Sequence, residues 1–143
     1  MNQHPYLRAY MAGIVVPTLA LLVMLTVYTV VSYFLEPSQF VFALPVRPLA
    51  RALVFPVALV PSIWGVWNML YTSVQSRVGW SLGVHGAVLP LLLIPGGITL
   101  ARAFDVFTIP MSFALPVFPI GMALYYLVWK YVVGFLNKEM GIA

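Results

Sequence analysis

Residues 61–90 read PSIWGVWNMLYTSVQSRVGWSLGVHGAVLP, from Pro61 to Pro90. Two apolar arms flank a short polar centre. Asn68 and His85 each lie within a long apolar segment, and Trp64, Trp67 and Trp80 fall in the same stretch. Each arm continues outward into more apolar sequence, so the pattern is that of two membrane helices joined by a turn at about Ser73 to Val78.

The composition of the whole chain agrees. Of 143 residues, 63% are hydrophobic and only 7% are charged. A soluble domain carries about 25% charged residues, so these charges are too few to cover a water-facing surface. Lipid or other membrane subunits must cover it. The net charge of +4 comes from isolated Lys and Arg residues rather than a basic run. That pattern suits phospholipid headgroups and not nucleic acid.

Outward from the hairpin, four apolar runs are expected to form helices at about 10–34, 52–72, 80–101 and 111–136. A hydrocarbon core needs about 20 helical residues. The first run is too long for a signal-peptide core and reads as a membrane span. The expected fold is a single all-α membrane domain, 1–143, a four-transmembrane-helix bundle. Pro17, Pro56, Pro61, Pro95, Pro116 and Pro119 predict bent helices. Pro95-Gly96-Gly97 predicts either a broken helix or a close backbone contact. Thr18, Leu22, Thr26, Thr29 and Tyr33 share one face of the first span, which should meet protein. Their hydroxyls are expected to bond back to helix carbonyls. Tyr125, Tyr126, Trp129 and Tyr131 suggest an interfacial aromatic belt, and NKEMGIA reads as a polar tail.

An even number of spans puts both termini on one side. Arg8, Arg77, Lys130 and Lys138 would then face Arg47, Arg51 and Arg102 across the membrane. This majority places both termini in the cytoplasm, in a bacterial-type inner membrane. FALPVRP at Phe42–Pro48 returns as FALPVFP at Phe113–Pro119, 71 residues later. The string suggests a duplicated two-span unit, although the same offset aligns poorly elsewhere.

Several chemistries lack their residues. Without Cys there is no thiolate metal site and no thiol redox chemistry. His85 alone cannot supply a bis-His haem, and its neighbours are poor metal ligands, so no metal or cofactor is expected. The apolar spans hold no acid for a proton relay. No nucleophile elbow, zinc-protease motif or phosphate loop occurs, so no catalytic residue is assigned.

The hairpin supplies the candidate site. Pro61, Trp64, Asn68 and Tyr71 share a face. Asn68 and His85 each lie roughly 12 Å from the turn, and so at one depth. The pair is expected either to hydrogen-bond across the helices or to form a polar binding pocket walled by Trp64 and Tyr71. Arg47, Arg51, Arg102 and Asp105 form a possible ionic cluster at the other end. The favoured function is a non-catalytic membrane subunit or assembly factor, bound to other subunits or to itself. The alternative is a small oligomeric transporter or channel with its site at Asn68 and His85.

Overall fold

Four helices are long and apolar enough to cross a membrane, spanning Pro5–Phe34, Arg51–Val78, Leu82–Ala103 and Pro116–Glu139. The computed structural model describes residues 4–34, 40–41, 44–45, 51–106 and 111–142, with the backbone alone at 40–41, 44–45 and 111–115. Helix α1 is Pro5–Phe34. It begins before Tyr10 because Pro5 suits a first helical turn, where no amide N–H is needed. A two-residue antiparallel pairing follows, Phe40–Val41 with Leu44–Pro45. Most of the expected FALPVRP repeat, and Arg47 with it, lies outside the described residues. Leu44–Pro45 is extended, whereas Leu115 and Pro116 lie within a helix. The matching strings therefore adopt different backbones where both are described.

The second span is interrupted rather than bent. A helical turn at 51–54 ends at Phe55 and Pro56, and a 3-10 turn at Val57–Leu59 leads into α2, Val60–Val78. Pro61 thus occupies the first turn of α2, where it is tolerated. The helix runs six residues past Thr72. Thr72 and Ser73 donate their hydroxyls to the carbonyls of Met69 and Leu70, at 2.7 and 2.8 Å. Their polarity is thereby met without a turn. Gly79 ends the helix in the left-handed conformation at φ 66°, its N–H bonded to Gln75, as a C-terminal glycine can at no steric cost.

Helix α3 is Leu82–Ala103, capped by Ser81 accepting from the Val84 N–H. It passes unbroken through Pro95-Gly96-Gly97. A Cβ added at Gly96 or Gly97 would meet no described atom within 4 Å, so no close backbone contact explains the glycines either. The last span comprises α4 (Met111–Leu127), a π-helical segment (Val128–Val133) and α5 (Gly134–Glu139).

Helix α1 packs along α2, and α3 along α4. Both pairs are antiparallel, as their contacts order Ala9 with Asn68 and Gly13 with Gly65, then Gly83 with Tyr126 and Gly121 with Pro90. Glycine sets how close the helices come. A Cβ at Gly13 would lie 2.7 Å from the Trp64 carbonyl oxygen and 2.9 Å from Gly65 Cα, tighter than any side chain allows. At Gly86 it would collide with the Cβ and ring of Trp129. The inward face of α3 therefore follows Gly83, Gly86, Leu89 and Pro90. Leu92 and Gly96, farther along the helix, are exposed.

The two pairs meet at a core of Trp64, Leu89, Trp129 and Val133. Trp129, Val133 and Asn137, spaced by four, are all buried. Four residues overshoot an α-helical turn, and the wider π turn offsets that drift. Beyond Pro17, α1 leaves this core. Leu22, Val23, Val27, Val30, Tyr33 and Phe34 are all more than half exposed. The expected Thr stripe is thus exposed rather than buried against protein. Thr26 and Thr29 bond back to the carbonyls of Leu22 and Leu25, each at 2.8 Å.

Candidate functional site

The buried face of α2 carries Trp64, Gly65, Asn68 and Tyr71, the face read from the i, i+3, i+7 spacing with Gly65 added. Asn68 is fully buried and does not pair with His85. Its Nδ2 donates to Asn137 Oδ1 at 2.7 Å and to the Ala9 carbonyl at 2.7 Å. Asn137 Nδ2 donates back to Asn68 Oδ1 at 3.1 Å. Both Asn68 amide protons are spent, and three helices, α1, α2 and α5, are tied at one point. Nearby, Arg8 Nη1 donates to the Met140 carbonyl at 3.3 Å. This contact brings the start of α1 and the end of α5 together.

His85 takes a different partner because adjacent helical residues project about 100° apart. Asn68 projects toward α1 and α5, and Trp67 toward α3. The Trp67 indole N–H donates to the His85 carbonyl at 3.0 Å, and His85 Nε2 lies 3.1 Å from the Trp67 carbonyl. A carbonyl only accepts, so Nε2 carries the proton in this bond. The rings stack at 4.7 Å and 25°, and Tyr71 lies 5.2 Å from the imidazole. The common depth of Asn68 and His85 holds, since His85 sits level with the residue beside Asn68. Their expected mutual bond is replaced by two separate clasps.

Trp64 faces the opposite pair. Its indole donates to the Tyr125 hydroxyl at 3.3 Å, and its ring lies 5.3 Å from Trp129. Trp129 is fully buried and belongs to the core, not to an interfacial belt. Its Nε1 has no hydrogen-bond partner among the described residues. Gly86 explains the difference, because only a missing side chain on α3 admits the ring.

Trp67, Tyr71 and His85 also line a cleft of about 420 Å³ between α2 and the start of α3. Asn68 and Trp64 do not line it. At the far end, Arg51, Phe55 and Phe104 border a shallow depression of about 500 Å³. Phe55 and Phe104 meet edge to face at 5.1 Å, joining the start of the second span to the end of α3. Arg102 and Asp105 are exposed beside it.

Asn137 was missed in the sequence because it sits in a stretch that reads as tail. A signal for it exists. Gly65-x-x-Asn68 recurs as Gly134-x-x-Asn137, and the two Asn are 69 residues apart, close to the 71-residue offset of the longer string. What this arrangement does chemically is modest. It satisfies buried amides and stacks rings, and among the described residues no three His, Asp or Glu gather to hold a metal. No protein-family model, curated protein or solved structure matches the chain.

Proposed function

We propose that the chain is a four-span integral membrane protein acting as a non-catalytic subunit or scaffold within a larger membrane assembly, its termini in the cytoplasm. Four helices of sufficient length and apolarity support the spanning arrangement. The Arg8 to Met140 contact supports placing both termini on one side. The observation that carries the functional reading is the clasp of Asn68, Asn137 and Ala9. Among the described residues the buried side-chain amides of Asn68 and Asn137 are consumed in tying helices together, beside an aromatic core. A solute path needs polar groups that face a continuous cavity, and Asn68 faces none. The exposed outer half of α1 supplies an apolar surface for a neighbouring membrane subunit.

The test is native mass spectrometry of the full-length protein extracted from its own membranes in mild detergent. The expected result is a complex with another membrane polypeptide in fixed ratio. The opposite result is a particle containing this chain alone that, in proteoliposomes, passes protons, monovalent cations or small amines and loses that flux with His85→Ala.

A further inference from the structure

We propose that the cleft between α2 and α3 binds a small, flat, ring-bearing amphiphile with a free hydroxyl. The ring would lie against Trp67, Tyr71 and Trp80, and the hydroxyl would donate to Nδ1 of His85. This inference is independent of the subunit reading.

The size fits. About 420 Å³ falls within the roughly 300–1,000 Å³ of small-molecule sites. The lining chemistry then narrows the ligand. No charged residue borders the cleft, so an ion would lose its hydration with no compensating charge. Three aromatic side chains among its walls favour a flat ring over a branched or sugar-like body. Beside the stacked rings two polar groups remain unspent, and the Gln75 amide and the Trp80 indole N–H lie farther along the same wall. Nε2 of His85 is committed to the Trp67 carbonyl, which leaves Nδ1 as the ring's acceptor, with no partner among the described residues. The Tyr71 hydroxyl likewise makes no hydrogen bond among them. The indole N–H of Trp67 is already given to the His85 carbonyl. Nδ1 of His85 is thus an acceptor without a donor beside the Trp67 ring, and a ligand hydroxyl supplies one. An acyl chain would fill the same volume and leave both polar atoms bare.

Access is from the side. Val74 is 38% and Trp80 49% exposed, so the mouth opens along α2 toward its C-terminal end. A ligand dissolved in the apolar phase can enter without unfolding a helix.

The experiment compares 2-naphthol with 2-methoxynaphthalene, the same ring without the donor. Each is titrated into the full-length protein in lipid nanodiscs, with empty nanodiscs as reference, and followed by tryptophan quenching. Saturable naphthol binding at least about ten-fold tighter than the methyl ether is expected, the worth of one hydrogen bond to a half-buried acceptor. His85→Phe keeps a ring beside Trp67 but has no acceptor, and should bring naphthol down to the ether's affinity. Val74→Trp fills the cleft and should weaken naphthol at least ten-fold. Equal affinity of the two probes for the unmodified protein overturns the proposal, as does uptake no greater than in empty nanodiscs. Both of these comparisons use the unmodified protein, so they decide the matter even if a variant fails to fold.

Discussion

Replacing Asn68 by Leu keeps the branching of the side chain and removes every hydrogen bond it makes. Three bonds are lost: to Asn137 at 2.7 Å, to Ala9 at 2.7 Å, and from Asn137 at 3.1 Å. The Ala9 carbonyl keeps its helical partner. Asn137 does not recover, because it is only 2% exposed and its amide oxygen and nitrogen both lose their partner. An unsatisfied buried polar group costs about 1–3 kcal/mol, while interhelical bonds in membrane proteins average about 0.6 kcal/mol. The single variant should therefore lose about 2–4 kcal/mol. Asn137→Leu strands Asn68 in the same way, with the Ala9 bond retained, and should lose slightly less. The double variant leaves neither amide behind, and removing both partners of a buried bond can be nearly neutral. It should be more stable than either single variant. The assay is reversible unfolding of the full-length protein in mixed micelles as the dodecyl sulfate fraction rises, followed by tryptophan emission. Single effects that simply add in the double variant would refute the reciprocal clasp, since coupling is what a shared network produces.

Glycine substitutions divide sharply by position. Gly86→Ala drives a Cβ into Trp129 and should destabilise by about 3 kcal/mol, the upper end of overpacking costs. The buried indole should be displaced, with a red-shifted emission that checks it. Gly96→Ala enters open space and should stabilise by about 0.5–1 kcal/mol, the helix preference of Ala over Gly. The same unfolding assay reads it, and a loss of stability would show a contact that the structure lacks.

The four long helices were legible because a spanning run needs about 20 apolar residues, and few other demands produce that pattern. Their ends were less so. Thr72 and Ser73 read as a turn, yet each hydroxyl closes on its own helix, and only Gly79 stops α2. Pro95-Gly96-Gly97 read as a break, yet α3 continues, because Gly96 and Gly97 are tolerated within a helix that packs through other residues. The buried face of α2 followed directly from the spacing of Trp64, Asn68 and Tyr71. Partner choice did not, because it depends on how the helices rotate against each other. That rotation is set by Gly13 with Gly65 and by Gly86 with Trp129. The local spelling is suggestive after the fact: Gly13-x-x-x-Pro17 and Gly86-x-x-x-Pro90 occupy α1 and α3. Ala9, Gly13 and Pro17, spaced by four, mark the inner side of α1. Trp129 read as interfacial because a Trp among Tyr and Lys usually is. The π turn and the facing glycine send it inward.

A membrane subunit with both termini on one side requires the helices to cross the membrane an even number of times. The chain has no Cys, so single Cys residues can report sidedness cleanly. Arg77, Asp105 and Glu139 are all exposed, and Arg77→Cys, Asp105→Cys and Glu139→Cys touch none of the clasps. In oriented membrane vesicles, a membrane-impermeant maleimide should label Arg77→Cys and Glu139→Cys from one face and Asp105→Cys from the other alone. Labelling of all three from the same face would contradict the four-span arrangement.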